Sequence, residues 1–404
     1  MRLAVLFRRL GPYHQVRLDA AGQLGETWCV EGSGIDTVHA WDTGAPGHHF
    51  GRLTLFPNAD SGRMPLRDVR RAVAAALDQI QPAVVAIPGW EEPLALAALA
   101  WAMRAGSPII LMSDSHEIDR RHHGLKEFIK RRIVGLCGAG FVSGRAATDY
   151  LVRLGMARDR IFTGYDVVDN DHFSQGAKTR HWPEAPIRAD GALPAKHFLC
   201  QGRFIWEKNL ERLLQAYARY VEQYVGEGSA NPGQGPWHLV LMGDGPLRGK
   251  VEACLQELGV VEYVHLPGFV QYPDLPEFYR VASACILASV SETWGLVVNE
   301  AMASGLPVLV SHRCGCVPDL VQEGVNGFTF DPLDMEELTR LMLKVSAPGF
   351  PLPAFGAASR EIISRWSARL FAENIWRAAE TAIAAPPARN IGGHLLLSSL
   401  LFLR

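Results

Sequence analysis

Short apolar runs alternate with amphipathic helical patterns along most of this 404-residue chain. In the first half, apolar runs at residues 3–7, 83–87 and 108–112 are separated by helix-like periodicity over residues 66–80 and 93–105. Such alternation is typical of βαβ units, in which each strand is followed by a helix that packs on a parallel sheet. The first half is therefore predicted to form a Rossmann-like α/β domain.

The same alternation restarts at residue 197, after a stretch rich in Pro, Gly, Ala and charge. We predict strands at residues 197–200, 238–242, 263–265, 284–288 and 307–311, and helices at 210–224, 246–258, 275–282 and 295–303. A second doubly wound domain follows from this pattern. The predicted organisation is a first domain at 1–175, a linker at 176–196, a second domain at 197–365, a C-terminal helix at 366–385 and a tail at 386–404.

Composition narrows the class of protein. With 48% hydrophobic and 20% charged residues, the chain has enough apolar material for two cores. A net charge of −2 creates no global field toward nucleic acid, so no nucleic-acid partner is predicted. The seven cysteines are odd in number and scattered, which favours reduced thiols and a cytoplasmic location. The apolar run near the N-terminus is too short for a signal peptide core or a membrane span.

The segment 291–307, SETWGLVVNEAMASGLP, combines two carboxylates with a turn and the start of a helix. Glu292 and Glu300 bracket the turn Thr293-Trp294-Gly295, where the glycine permits close backbone approach. The first amides of the following helix can bind a phosphate, and each carboxylate can accept hydrogen bonds from sugar hydroxyls. The pattern fits a nucleotide-sugar, but an ordinary turn flanked by two surface glutamates has the same spacing.

The segment 202–209, GRFIWEKN, directly follows a predicted strand. Arg203 and Lys208 can turn toward the same site and neutralise a pyrophosphate. A glycine-rich turn begins further along at Gly243, but its spacing matches neither the dinucleotide fingerprint nor the P-loop. We expect that turn to line a nucleotide site through its backbone.

These motifs, together with LVLMGDGPLRGKVE, HLPGFV and GVNGFTFDP in the same order, resemble the family 4 glycosyltransferases, in which two glutamates stand eight residues apart. The resemblance is dense over residues 200–331. It implies that Arg203 and Lys208 bind the donor diphosphate, Glu300 the ribose and Glu292 the transferred sugar. It also implies that the backbone of Gly295, Leu296 and Val297 completes the phosphate site, with Thr293, Trp294 and Gly243 nearby and Gly268, Phe269 and Val270 beside the base.

The resemblance implies an α/β GT-B fold, in which two Rossmann-like doubly wound parallel-sheet domains face an interdomain cleft and the C-terminal helix crosses back to the first domain. The implied activity is retaining transfer from a UDP-sugar, or from a GDP-sugar, to a glycan or lipid-linked acceptor in surface polysaccharide or glycolipid synthesis. No Asp-x-Asp element follows a strand near the motifs, so no metal and no other cofactor is expected. The alternatives are an idle nucleotide-sugar-binding scaffold, an epimerase and a phosphorylase on the same fold.

Two places in the first half are candidates for the acceptor side. The predicted loop at residues 11–17 resembles the family's first-strand loop, with Gly11, Pro12 and His14 near the substrates. After the strand at 108–112, Asp114 or His116 matches a histidine that lies beside the reacting centre in the family, and Asp119 follows on the acceptor side. The basic stretch 126–132 is either an exposed solvated face or a contact for an anionic acceptor, with peripheral binding at the inner membrane surface.

Overall fold

The computed structural model describes residues 1–34, 49–117, 124–175, 187–188, 191–226 and 235–385. The chain divides into two compact units. Unit 1 comprises residues 1–168 and resumes at Trp366, and unit 2 comprises Asp169–Arg365. The division falls at residues 168/169, ahead of the boundary at 175 that the sequence predicts, because a short helix at Asn170–Gln175 groups with unit 2.

Unit 1 is built on a seven-stranded, wholly parallel sheet in the order β3-β2-β1-β4-β5-β6-β7. Its strands are β1 (Arg2–Phe7), β2 (Glu26–Ser33), β3 (Gly51–Phe56), β4 (Val84–Pro88), β5 (Ile109–Ser113), β6 (Ala139–Val142) and β7 (Ile161–Thr163). Its helices are α1 (Pro12–Leu24), α2 (Leu66–Ile80), α3 (Pro93–Ala105), α4 (Gly124–Val134), α5 (Arg145–Arg153) and, at its end, α14 (Ala368–Ala384). The order reverses beside β1, as in doubly wound folds.

Local chemistry accounts for these elements. Strand β5, IILMS, is buried along its whole length because helices cover both faces of a parallel sheet. Helix α3 begins with Pro93 in its first turn and ends at Gly106, whose φ of 69° closes the helix without the strain that a side chain would add. The bounds of α2 and α3 agree with the sequence prediction, and each predicted strand of this half is present within one or two residues.

Helix α14 packs within unit 1 although it is the last helix of the described chain. Ser367 caps it by accepting a hydrogen bond from the Leu370 amide at 3.4 Å. Phe371 contacts Phe141 edge to face at 5.0 Å between ring centroids, and the Trp376 indole donates to the Ala21 carbonyl at 2.9 Å. The chain therefore returns to its first unit after completing the second.

Unit 2 contains a six-stranded parallel sheet in the order β12-β11-β10-β13-β14-β15. Its strands are β10 (His197–Gln201), β11 (His238–Met242), β12 (Val264–Gly268), β13 (Ala284–Leu287), β14 (Val308–Ser311) and β15 (Gly327–Phe330). Its helices are α6 (Asn170–Gln175), α7 (Leu210–Gly226), α8 (Arg248–Leu258), α9 (Leu275–Val281), α10 (Leu296–Ala303), α11 (Val317–Leu320), α12 (Met335–Ser346) and α13 (Leu352–Ile363). The prediction of two doubly wound parallel-sheet domains is confirmed.

The segment predicted as a linker has some regular structure among its described residues. Strands β8 (Ile187–Arg188) and β9 (Gly191–Ala192) form a small antiparallel pair. Sequence periodicity did not indicate it, since two residues per strand are too few for a pattern.

Candidate functional site

The carboxyl edge of the unit 2 sheet is lined by main chain. Gly202, Gly243 and Gly268 stand at the ends of the neighbouring strands β10, β11 and β12. The Gly202 amide donates to the Met242 carbonyl at 3.0 Å, and the Gly243 amide donates to the Gly268 carbonyl at 2.8 Å. Parallel strands direct their carboxyl ends to one edge, where ligands of open α/β sheets bind.

Glycine is required at position 243 by close packing. Its φ is 135°, and a Cβ atom there would lie 2.0 Å from the Gly202 carbonyl oxygen. Gly268 has a φ of 85°, and a Cβ atom on it would meet no other atom within 4 Å, so this residue faces open space. At Gly268 the edge therefore presents backbone with no side chain in front of it.

The segment from Gly202 to Asn209 is tied to the loop that follows β13. Asn209 adopts φ 55°, and its side-chain amide donates to the carbonyls of Ala288 at 3.2 Å and Pro332 at 2.8 Å. The Val290 amide donates to the Glu207 carbonyl at 2.8 Å. These bonds join the exits of two adjacent strands, β10 and β13, and so bring the two sequence motifs together.

Lys208 and Glu292 form an ion pair at this junction. Their side chains are only 16% and 18% exposed, and the Ser289 hydroxyl donates to Glu292 Oε2 at 3.1 Å. Burial alone would lower the pKa of the Lys208 ammonium, but the charge and the hydrogen bond of Glu292 outweigh burial, and the pKa is raised. Lys208 is therefore a fixed cation at neutral pH.

Arg203 differs from Lys208 in its surroundings. Its side chain is exposed, and it makes no ion pair or side-chain hydrogen bond with any residue that the structure describes. Trp206, on the same segment, is 67% exposed. The sequence motifs did not single out Trp206, although an exposed indole beside a candidate ligand site is a common contact for bases and sugars.

Glu300 lies on α10 and is almost completely buried, with 1% of its surface exposed. The Tyr279 hydroxyl lies 2.6 Å from Glu300 Oε2 and also contacts Gln201 Oε1, and its single proton is donated to one of these two acceptors at a time. The Tyr279 ring packs edge to face on Phe173 at 5.7 Å between centroids. A buried carboxylate needs such partners, and these fix its orientation.

Tyr279 and Gln201 were missed by sequence reasoning. Gln201 immediately precedes the Gly202-Arg203 motif, so its place at a strand end was a usable signal. Tyr279 carries no such signal, because α9 reaches Glu300 only through the tertiary packing. Ser289, two residues after β13, was likewise not singled out.

The turn before α10 contributes main chain and a buried indole. Gly295 has a φ of 106° and precedes the first helical residue, and a Cβ atom there would lie 2.9 Å from Leu287. The Trp294 side chain is 2% exposed, and its indole donates to Asn299 Oδ1 at 2.9 Å. Trp294 therefore packs inward, and any donor contact from it must come from its backbone.

The remaining residues predicted for the donor lie on these same loops. Thr293 is half-buried in the turn, and Leu296 and Val297 are the first two residues of α10. Phe269 follows β12 and is 43% exposed, and Val270 beside it is half-buried. All of the predicted donor-site residues therefore belong to the strand ends and loops at the carboxyl edge of the unit 2 sheet or to α10.

In unit 1, the predicted loop at residues 11–17 is wrong, because helix α1 begins at Pro12. Pro12 occupies the first helical turn, where a missing amide hydrogen costs nothing. The Gly11 amide donates to His14 Nδ1 at 3.0 Å, and His14 packs on Phe7 with 4.3 Å between the ring centroids. His14 thus caps the helix through Nδ1, which assigns the ring proton to Nε2.

The second acceptor-side region follows β5. Asp114 is half-buried and His116 is 3% exposed, while Asp119 lies outside the described residues. The basic stretch forms α4, but its lysine at 130 is not part of an exposed face. Lys130 Nζ contacts Glu127 at 3.1 Å and the Tyr150 hydroxyl at 2.6 Å, and it lies 5.4 Å from the centre of the Trp90 ring.

The described residues also bear on metal and thiol chemistry. Within them, no group of three or more His, Cys, Asp or Glu side chains is placed to hold a metal ion. The seven cysteines, all within the described ranges, are free thiols. Burial raises the pKa of Cys314 and of Cys316, beside Glu292, well above the usual value, so both are protonated at neutral pH. No helix in the described part of the chain has the length and apolar character needed to cross a membrane.

Solved structures share the fold of both units. The structure of Anabaena HepE in complex with UDP and glucose aligns with a TM-score of 0.70 and 16% identity, covering 94% of this chain and 100% of that chain. At this identity the likeness establishes the fold, and the chain is a GT-B protein. The fold class predicted from the motifs is confirmed.

Residues 188–349, about two fifths of the chain, match the family model described as glycosyl transferases group 1. It is 30% identical over 220 residues to the sulfoquinovosyl transferase SQD2 of Arabidopsis thaliana, which is 54% of this chain and 37% of that protein. It is 25% identical over 143 residues to the alpha-monoglucosyldiacylglycerol synthase of Acholeplasma laidlawii, which is 35% of this chain and 33% of that protein. The chain thus spans about a third of the length of these curated relatives.

Proposed function

We propose that this protein is a retaining glycosyltransferase that uses a nucleotide diphosphate-sugar, with UDP favoured over GDP as the carrier. The observation that carries the proposal is the group at the carboxyl edge of the unit 2 sheet, where Lys208 and Glu292 form a shielded ion pair. Glu300, eight residues further along the chain, is held on α10 by the Tyr279 hydroxyl. The match of residues 188–349 to the glycosyl transferases group 1 family model and the UDP complex of a structural neighbour support this proposal.

The residues have distinct roles in this proposal. Lys208 and Arg203 neutralise the donor diphosphate, and the first amides of α10 add their dipole. Glu292 accepts hydrogen bonds from hydroxyls of the transferred sugar, and Glu300 accepts them from the ribose. The ion pair and the tyrosine bond restrict these side chains before the donor binds, which lowers the entropy cost of ordering them.

The proposed chemical step is a front-face transfer. The acceptor hydroxyl attacks the anomeric carbon as the bond from that carbon to the diphosphate oxygen breaks, and the departing phosphate oxygen takes the hydroxyl proton. Charge develops on the leaving diphosphate, so fixed cations that face it lower the barrier. This step needs no cofactor or metal ion from the protein, and none is proposed.

The acceptor is proposed to be a glycan or a lipid-linked hydroxyl. The name of the Acholeplasma relative, alpha-monoglucosyldiacylglycerol synthase, supports a lipid acceptor, and the proposed setting is surface polysaccharide or glycolipid synthesis in the cytoplasm. Gly11, Pro12 and His14 remain the proposed residues of the acceptor side, with the Nε2 proton of His14 as a hydrogen-bond donor. Asp114 and His116 remain the proposed catalytic residues of unit 1, beside the reacting centre.

A melting-temperature panel with UDP, GDP and ADP tests the donor assignment. The preferred nucleotide should raise the melting temperature of the wild-type protein in proportion to its affinity, and Arg203→Ala should reduce the shift. Arg340→Ala is the matched control, because Arg340 is an exposed arginine on α12 without a side-chain partner among the described residues. If none of the nucleotides shifts the melting temperature, the donor-site assignment is wrong.

Product analysis separates the transferase from its alternatives. With a bound nucleotide-sugar and a suitable acceptor, NMR of the product should show the anomeric configuration of the donor. An idle scaffold would bind the nucleotide and release no sugar. An epimerase would convert the donor without acceptor, and a phosphorylase would require free phosphate.

A further inference from the structure

A groove of about 300 Å³ lies between α2 and α3 of unit 1, on residues that none of the motifs include. It is lined by four arginines, Arg67, Arg70, Arg71 and Arg104, together with three alanines and Trp101. All four arginines are exposed, whereas Trp101 is 6% exposed.

Within the described part of the chain, acidic side chains balance little of the positive charge of the groove. Arg70, Arg71 and Arg104 make no ion pair or hydrogen bond with any residue in the described ranges. Arg67 has only a distant ion pair with its neighbour Asp68, at 3.8 Å. The other acid of the two helices is Asp78, and it accepts the Trp101 indole hydrogen bond at 2.7 Å.

Charge repulsion makes the arrangement unfavourable without an anion. Arg67 lies in the first turn of α2, at the positive end of the helix dipole, where Asp68 offsets a cation that the dipole disfavours. Arg70 and Arg71 follow in the second turn, where the dipole is weaker, and each repels Arg67 at a spacing of three or four residues. Arg104 differs, because the last turn of α3 favours a cation. A bound anion would offset the repulsion among the arginines of α2.

We propose that this groove binds a phosphate group of a ligand other than the sugar donor. Guanidinium groups pair with phosphate oxygens through two parallel hydrogen bonds, and several of them suit a group with more than one negative charge. The volume accommodates a phosphorylated headgroup or a small phosphate ester but not a folded partner. The phosphate is carried either by a soluble ester or by a lipid headgroup.

Calorimetric titration with inorganic pyrophosphate tests the groove directly. The measurement is made in a Lys208→Met background, which weakens the proposed donor site and leaves unit 1 intact. Arg70→Gln with Arg71→Gln should weaken pyrophosphate binding at least about tenfold. Arg158→Gln with Arg340→Gln removes the same charge from exposed positions elsewhere and should leave the affinity within about twofold. Equal affinities in the two double variants would overturn the proposal.

Vesicle cosedimentation identifies the source of the phosphate. If vesicles of phosphatidylglycerol and phosphatidylcholine bind the wild type and the control, and the Arg70/Arg71 variant fails to bind, the ligand is a lipid headgroup. If pyrophosphate binds at the arginines and these vesicles do not, the ligand is soluble. If the Arg158/Arg340 control variant binds neither pyrophosphate nor the vesicles, the proposal is overturned, whether or not the protein binds nucleotides.

Melting temperatures supply an independent readout. Without phosphate, the Arg70/Arg71 double variant should have a melting temperature equal to or above that of the Arg158/Arg340 control, because repulsion among the arginines near the start of α2 is relieved. Pyrophosphate should raise the melting temperature of the control and not that of the double variant. A double variant that melts lower than the control and still responds to pyrophosphate would contradict the assignment.

Discussion

The carboxyl edges of the two sheets use buried charge differently. In unit 2, Lys208 and Glu292 meet beside glycine-lined main chain. In unit 1, Arg17 on α1 is 2% exposed, donates to the Val167 carbonyl at 2.8 Å and pairs with Asp166 at 3.4 Å. The first arrangement places the Lys208 side chain against the main chain of Gly202, whereas the second ties the start of the chain to the end of unit 1's main segment.

Strand β2, which lies beside β1 in the unit 1 sheet, carries a second buried charge. Glu31 on β2 is 1% exposed and accepts hydrogen bonds from the Leu10 amide, the Arg52 guanidinium and the Thr54 hydroxyl. Its oxygens are satisfied within unit 1, so its charge is structural. Burial of a charged residue therefore does not identify a ligand site in this protein. Open backbone beside the charge is the distinguishing feature.

The largest effect that follows from the contrast is on stability. Arg17→Met should lower the free energy of unfolding of unit 1 by about 3–5 kcal/mol, because it removes a buried guanidinium that pairs with Asp166 and donates to the Val167 carbonyl. Arg158→Met, which breaks an exposed pair with Asp149, should cost no more than about 1 kcal/mol. Urea denaturation measures both. Loss of nucleotide binding in folded Arg17→Met would contradict the structural role of this arginine.

The next effect is on catalysis. Lys208→Met should lower kcat by about 10²–10³, as expected when one fixed donor to a developing charge is removed. Lys208→Arg retains the charge and should recover part of the rate. Steady-state rates, compared with the melting temperature of each variant, separate this effect from unfolding. A Lys208→Met enzyme with unchanged kcat would remove the main distinction between the two edges.

A smaller effect is expected at Glu300. Tyr279→Phe removes the hydroxyl that donates to this buried carboxylate and should lower the stability of unit 2 by about 1.5–3 kcal/mol. It should also weaken nucleotide binding, because the carboxylate loses its fixed orientation. Tyr263→Phe is the control, since the Tyr263 hydroxyl has no side-chain partner among the described residues. Equal denaturation midpoints for the two variants would show that the hydroxyl does not position Glu300.

The smallest effect is a pH dependence at the opposite, amino end of the unit 2 strands. Burial lowers the pKa of His197, the charge of His238 lowers it further, and the hydrogen bond to the Pro194 carbonyl opposes both. His238 is itself hydrogen-bonded to His265 at 2.9 Å. The unfolded chain therefore binds protons more readily than the folded one as the pH falls through about 6.5, and stability decreases there.

His197→Asn tests this dependence. The variant should flatten the decrease in melting temperature between about pH 7 and pH 5, with a change of no more than about 1.4 kcal/mol per pH unit. Asn retains a donor toward the Pro194 carbonyl, so folding at neutral pH should persist. A slope identical to that of the wild type would assign the pH response to other groups, His238 and His265 first.

Most of the fold was predictable from local pattern. The bounds of α2, α3 and β11 agree with the periodicity, because burial of one helix face or of a whole strand leaves a direct trace in the order of apolar residues. The two glutamates and the basic segment were also predictable, since a helix start and a strand exit have local signatures. Helix α1 was not, because Pro12 and His14 carry no apolar period at its start and the cap is a contact between Gly11 and a side chain three residues away.

The order of residues therefore established two parallel α/β units and a pair of charged motifs, because these depend on neighbours along the chain. Three features are decided only by folding: the ion pair between Lys208 and Glu292, the hydrogen bond between Tyr279 and Glu300, and the packing of α14 in unit 1. Each of these contacts joins segments that are far apart in sequence, and the order of residues alone does not indicate which distant segments meet. The same limit hid the arginine groove, whose charges come from two helices that only packing brings side by side.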